Sequence, residues 1–381
     1  MSLLHEIWLC EFCHYDPENI YKYINFFGSA ENAYNAKASD YKKSEYYSHL
    51  KKILKAKKSL DSAEKLIEEC KRLDIHIMSI NDEDYSDYLR NSYLPPRLLF
   101  IKGERFNFND YLYVSIVGSR ASSRPGRMMA NQMGRDLVKC GIIVVSGLAV
   151  GIDAEAQKGA IEGGGRTVAF LSGGVDRVYP AENRKLYDQI IENGAVISER
   201  PPGTVGRDYF YQQRNRIMAG IAHGVVVVEG TMKSGTSITI KHATDFSRDI
   251  FAVPGSPMSE QYDLPNSLIR DGIPPVLSFE DIIRQYDTRE DCIPLLENGI
   301  KLLKKPEEAF SASLDYDFDI EDEKIIKYLQ SCGDAQLPDD ISSNCNIPIH
   351  TVSSKLTMLM ISDIVIQEPG NKYILTRRDL F

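Results

Sequence analysis

The sequence predicts an α/β protein: a doubly wound, mostly parallel sheet, preceded by a helical N-terminal domain and followed by a C-terminal winged helix. Three observations carry this. Between residues 112 and about 285, strand-length apolar runs alternate with helix-periodic segments, which is the pattern of βα units with helices on both faces of a sheet. The first run, Leu112-Tyr-Val-Ser-Ile-Val117, carries no charge and reads as a strand buried on both faces. Residues 316–381 spell three short helices and a hairpin turning at Pro369-Gly370-Asn371.

The chain begins with helical periodicity, through Ile7–Phe27 and again through Leu50–Ile67. Cys10-Glu-Phe-Cys13-His14 matches a haem-attachment pattern, but Cys10 and Cys13 share an apolar stripe with Leu4, Trp8 and Ile20 and read as core. Lys37, Lys42, Lys43, Lys51, Lys52, Lys55, Lys57 and Lys58 face only Asp40 and Glu45, as a solvated helix face or a secondary nucleic-acid surface. Short strands are expected at Ile75–Ile80 and Leu98–Ile101, around Pro95 and Pro96, with Phe106–Tyr111 as a joint. The expected domains are 1–107, 108–287 and 316–381, with a linker at 288–315 that holds one short helix at Ile293–Leu303.

In the central segment, strands are expected at 112–117, Ile142–Ser146, Thr167–Leu171, Ala195–Ser198, Gly224–Glu229 and Ile250–Val253. Helices fall between them, near Arg127–Cys140, Ile152–Glu162, Asn183–Asn193, Gln213–Ile221 and Ser237–Ser247. Ligands of such sheets bind beyond the carboxyl ends of the strands, so the residues after each strand are the candidates. These are Gly118, Ser119 and Arg120; Gly147, Gly151 and Asp153; Tyr179 with Arg184; and Ser234, Gly235 and Thr236. Glycine lets backbone approach a ligand, and N–H groups at a helix start face an anion, so this edge reads as a phosphate-facing rim. Tyr209-Phe-Tyr-Gln-Gln-Arg214-Asn215-Arg216, placed just before a helix, mixes rings and guanidinium groups that suit bases and phosphates. The same residues also suit packing on the sheet edge with the arginines in ion pairs.

Other chemistries find little support. Gly230–Ser237 nearly matches a phosphate-binding P-loop, but Thr236 stands where the lysine belongs, which argues against ATP hydrolysis. No G-x-G-x-x-G follows the first strand, and no metal cluster or nucleophile set stands out, so no cofactor is expected. A hydrophobic content of 43% and a net charge of −9 describe a soluble chain whose contact with any anionic polymer must be local. Seven scattered cysteines and no visible signal or span fit a cytoplasmic protein. From Tyr316 onward acidic residues outnumber basic ones, and the expected recognition helix carries only Lys355, so this domain suits a protein partner better than DNA.

Taken together, these blocks resemble the DNA-processing protein A (DprA/Smf) family. The resemblance runs through Val117-Gly-Ser-Arg120, Ser146-Gly-Leu-Ala-Val-Gly-Ile-Asp153, Gly174-Val-Asp176, Tyr179-Pro180 with Asn183, Ser198-Glu199, Arg214-Asn-Arg216, Ser234-Gly235 and Ala252-Val-Pro-Gly255. It implies an extended Rossmann-like domain that binds single-stranded DNA, dimerises and loads RecA onto incoming strands during natural transformation, without catalysis. Carried over by position, Gly118, Ser119 and Arg120 hold a DNA phosphate, Arg214, Asn215 and Arg216 line the same pocket, and Ser234, Gly235 and Thr236 add donors. The chain departs from the family's pattern at Gln157, in place of histidine, and at Tyr211-Gln212, in place of Phe-Pro. It also departs at Ala181, where a DNA-binding lysine is usual and where Arg184 and Lys185 are the nearest cations, and in lacking helix-hairpin-helix glycines near Tyr15–Ile20. Two other readings remain: a Rossmann-like phosphoribohydrolase using Asp153 or Glu229, and a winged-helix transcription regulator.

Overall fold

The apolar runs of the central segment become buried strands, and the glycine-rich breaks become the loops at their carboxyl ends. This computed structural model describes residues 2–37, 39, 58–302, 319–332, 334–361, 364–368 and 372–375. Contacts group the chain into two units, 1–304 and 305–381.

The first unit opens with helices α1 (Leu3–Phe12), α2 (Pro17–Phe27) and α3 (Ala30–Asn35). Asp16 caps α2 by accepting the Asn19 N–H, Gly28 ends it at φ 79°, and Ser29 caps α3. Ile7, Cys10, Cys13 and Ile20 are buried together, and both cysteines are core residues. Of the lysine tract, Lys42, Lys43, Lys51, Lys52, Lys55 and Lys57 lie outside the described residues. Helix α4 (Asp61–Arg72) leads to β1 (His76–Ser79), α5 (Asp87–Arg90) and β2 (Leu98–Gly103).

The alternation then runs β3 (Tyr113–Val117), α6 (Arg124–Lys139), β4 (Ile143–Ser146), α7 (Ile152–Glu162), β5 (Thr167–Phe170) and α8 (Arg184–Asn193). It continues with β6 (Gly194–Ser198), α9 (Asp208–Ile221), β7 (Gly224–Val227), α10 (Gly235–Asp245) and β8 (Asp249–Ala252). One eight-stranded sheet results, in the order β1-β2-β6-β5-β4-β3-β7-β8. From β6 to β8 all neighbours are parallel, and Val114 lies between Val144 and Gly224. The chain winds outward from β3 to β6, then crosses back to lay β7 on the other side of β3. That reversal opens a crevice at the carboxyl ends of β3 and β7.

Strands β1 and β2, which precede the expected joint, complete this same sheet. Phe100 pairs with Ser198 across the antiparallel β2–β6 ladder, and β1 pairs antiparallel with the outer side of β2. Without β2, the backbone groups on that side of β6 would form an open edge. A buried ion pair at 2.5 Å, Arg97 with Glu6, ties the start of β2 to α1. After the sheet come α11 (Asp263–Arg270), α12 (Phe279–Tyr286) and α13 (Ile293–Leu302). Although its surroundings read as a linker, α13 is docked: Leu296 is buried, and Asn298 donates to the Asp110 carbonyl at 2.9 Å.

The second unit contains α14 (Ile320–Cys332), α15 (Pro338–Cys345), α16 (Ile349–Ile361) and the antiparallel pair β9 (Val365–Glu368) and β10 (Lys372–Leu375). Ile326, Ile341, Leu356 and Leu375 share its core. The turn expected at 369–371 lies outside the described residues. Lys355, the single Lys or Arg of α16, is held by Asp319 and, at 3.1 Å, by buried Asp322.

Candidate nucleic-acid interface

A pocket of about 580 Å³ occupies the crevice between the ends of β3 and β7. Its walls come from the turn after β3, the loop before α7, one face of α9 and the first turn of α10. Of the residues expected at the rim, it brings together Gly118, Ser119, Arg120, Asp153, Arg214, Asn215, Ser234, Gly235 and Thr236.

The Gly118–Arg120 turn sits on α7. A Cβ at Gly118 would come within 2.6 Å of the Ile152 side chain, so only glycine lets the strand end this close to the helix. Gly151 has φ 86°, and a Cβ there would meet the Ser119 and Arg120 carbonyls at 2.4 and 2.8 Å. Gly151 is therefore the shelf beneath the turn and lies outside the pocket lining. The turn projects Arg120 into solvent, with its guanidinium 5.0 Å from the Tyr211 ring centre.

The start of α6, which the sequence offers to an anion, is already occupied. Glu229 accepts the Ser123 N–H at 2.9 Å and also the Ser123 hydroxyl. A Cβ at Gly126 would fall 2.3 Å from the Glu229 carboxyl carbon, so the glycine in the first turn admits this carboxylate. With both oxygens engaged and its side chain fully buried, Glu229 satisfies the helix start from within the protein. The start of α10 is different. Nothing lies within 4 Å of a Cβ position at Gly235, and Ser234, Gly235 and Thr236 border the pocket directly. Asn215 steadies this turn by donating to the Gly235 carbonyl at 3.3 Å.

Beneath the rim, Arg214 is buried and donates to the Phe170 carbonyl at 2.9 Å. Its guanidinium lies directly on Gly147, where a Cβ would sit 1.5 Å from Nη1. Gly147 thus makes room for Arg214 and is not itself part of the lining. Its N–H donates to Asp153 at 3.1 Å. Burial raises the Asp153 pKa, opposed by the Arg214 charge and by hydrogen bonds from Gly147 and Ala149. Burial likewise lowers that of Arg214, and its Nε has no partner in the described structure.

Besides Gly147 and Gly151, three more of the expected rim residues lie outside the lining, and one segment sits differently in its helix. Arg216 is not in the pocket: it forms a buried fork with Glu199 at 2.5 and 2.7 Å. The segment 209–216 does not precede a helix but forms its first turns. At 100° per residue, positions 208, 211, 212, 215 and 218 share one face, whereas residues two apart point away from each other. That phase explains why Asp208, Tyr211, Gln212 and Met218 line the pocket beside Asn215, although the motif marked only its arginines and asparagine. Arg184 is exposed, pairs with Asp188 at 3.1 Å and lies outside the lining. Tyr179, also outside it, reaches the pocket edge through Tyr211, with ring centres 6.5 Å apart. Gln157, in the family's histidine position, is buried and accepts from Leu148 N–H while donating to the Val168 carbonyl, both at 3.2 Å.

Residues 76–287 match the model of the family described as DNA recombination-mediator protein A. The DNA processing protein DprA of Bacillus subtilis is 35% identical over 215 residues, 56% of this chain and 72% of that protein. The Smf protein of Synechocystis is 30% identical over 94% of both chains. The X-ray structure of DprA from Streptococcus pneumoniae, 29% identical, superposes with a TM-score of 0.65 over 76% of this chain and 99% of that one. A Helicobacter pylori DprA structure shares the fold at a TM-score of 0.50 and 23% identity, over 55% of this chain and 95% of that one. A doubly wound sheet with its pocket at the switch point, built from the family's motifs in the family's order, places this chain in the DNA recombination-mediator protein A family, the DprA/Smf proteins.

Proposed function

We propose that this protein binds single-stranded DNA along the rim of the switch-point pocket and acts as a recombination mediator. One observation carries the reading: the open first turn of α10 faces a guanidinium-bearing wall while Glu229 closes the neighbouring helix start. A phosphodiester fits that wall, because the α10 dipole and its N–H groups favour an anion and Arg120 adds a formal charge. Arg120, Arg124 and Arg127 are exposed along one turn and its helix, and none is in an ion pair with a described carboxylate. The Helicobacter pylori relative is described as binding single-stranded DNA, which agrees with this assignment.

Binding rather than catalysis suits the two carboxylates that the sequence offered for hydrolysis, since Glu229 is engaged by Ser123 and Asp153 by the Gly147 N–H. As in the family resemblance, the mediator role comprises dimerisation, protection of the incoming strand and RecA loading in the cytoplasm during natural transformation. The winged-helix unit serves a protein contact in this scheme, because the only Lys or Arg of α16 is held by Asp319 and Asp322. Titration of the full chain with single- and double-stranded oligonucleotides across salt tests the DNA assignment. Preference for the single strand, with a log–log slope of roughly −0.7 per phosphate neutralised, is expected. Equal binding of duplex would overturn it. Light scattering reads the dimer, and RecA filament growth on coated single strands reads the loading step.

A further inference from the structure

The outer wall of the pocket carries rings as well as charge. Tyr211 lines the pocket beneath Arg120, and Tyr179 stands beside it with ring centres 6.5 Å apart and planes at 52°. Tyr179 is 67% exposed, yet side-chain hydrogen bonds anchor its loop on either side. Asp176 accepts the Gly203 N–H at 2.8 and 3.0 Å, and Asn183 donates to the Leu148 carbonyl at 2.9 Å. A large ring kept in solvent on a fixed loop buries little apolar area for the protein's own stability. It is preorganised for something that arrives.

We propose that Tyr179 and Tyr211 form a base-stacking platform, on which the base adjoining the phosphate held at Gly118–Arg120 and the α10 start lies flat. The proposal rests on the single-strand reading above and assigns it a base contact that the phosphate-facing turns do not supply. Every base presents a π face, so the platform strengthens binding without imposing a sequence. Arg120, already over the Tyr211 ring, joins the two parts of the site: its charge faces the backbone and its plane extends the stack. The same arrangement accounts for rim affinity in a chain with Ala181 in place of a lysine, since stacking adds binding that needs no second cation there.

The test compares an oligothymidylate with an abasic deoxyribose-phosphate strand of equal length, using fluorescence anisotropy on the full-length protein at fixed salt. The wild type is expected to bind the base-bearing strand roughly 5- to 100-fold more tightly, the range for one stacked base. Tyr179→Ala and Tyr211→Ala should each shrink that ratio while leaving the salt slope unchanged, and Tyr179→Phe and Tyr211→Phe should restore it. A 2-aminopurine in the strand should lose fluorescence on binding the wild type and keep it with the alanine variants. Arg120→Ala should weaken both strands. Equal binding of the two strands by the wild type, or alanine variants that lose affinity for both alike, would overturn the platform and leave the single-strand reading standing. Failure of the wild type to bind either strand would overturn both.

Discussion

Arg216 and Glu199 form a buried fork on the side of α9 turned away from the pocket, with one guanidinium nitrogen within 2.5 and 2.7 Å of the two carboxylate oxygens. The pair belongs to the stability of the fold rather than to its ligand. Taking two charges out of water is costly, and removing one partner leaves the other buried and uncompensated, at about 3–5 kcal/mol. Arg200 follows Glu199 directly, and its charge is attracted by Glu199 and repelled by Arg216. Glu199→Leu should therefore destabilise more than Arg216→Met, because the first leaves two cations together and the second leaves Arg200 to answer Glu199. Urea unfolding at pH 7 measures both. Equal losses would show that Arg200 does not share the carboxylate.

Arg120→Ala should weaken binding to every single-stranded sequence alike and make the salt slope shallower by roughly 0.7. Arg124→Ala combined with Arg127→Ala should reduce it further, since neither is engaged by a described carboxylate. Arg184→Ala should do less than Arg120→Ala, because Arg184 already pairs with Asp188. An Arg184 effect equal to that of Arg120 would redirect the strand toward α8. Salt titrations of the three variants separate these outcomes.

Gly147→Ala should behave as a binding mutant although residue 147 does not line the pocket. Its methyl would occupy the place of the Arg214 guanidinium, 1.5 Å from Nη1, and drive that group off the Phe170 carbonyl. A stability loss of about 1–3 kcal/mol is expected from overpacking, together with weaker single-strand binding. Unchanged affinity in the folded variant would show that Arg214 is structural.

His223 makes stability depend on pH. It is buried, with Nδ1 accepting the Tyr113 N–H at 3.2 Å. Burial, then the charges of Arg248 and Arg289, lowers its pKa to about 3. A histidine depressed in this way stays neutral in the fold while the unfolded chain protonates near 6.5. Stability is thus unaffected above that pH and falls by about 1.4 kcal/mol per unit as pH drops below it. His223→Asn, which keeps an acceptor for Tyr113, should flatten the urea midpoint between pH 6.5 and 5. An unchanged slope would assign the acid sensitivity elsewhere.

Much of this protein is legible in its residues. The alternation of apolar runs and helical periods sets the parallel sheet, and the glycine breaks mark where its loops converge, because both signals are local and repeat with the period of the element that carries them. What a side chain faces is a different matter. Arg214 and Arg216 stand in one motif, yet α9 begins at Asp208, and that phase sends Arg216 to Glu199 and leaves Arg214 under the rim. Gly147 and Gly151 read as ligand loops but serve as clearances for Arg214 and for the Ser119 and Arg120 carbonyls. The start of α6 reads as an anion site until Glu229, on another strand's end, fills it. By itself the sequence determined the main elements of the sheet, their order and the edge at which the pocket opens. Only the tertiary structure decided which cations remain free there, because a charge is silenced by a partner that folding brings from far along the chain.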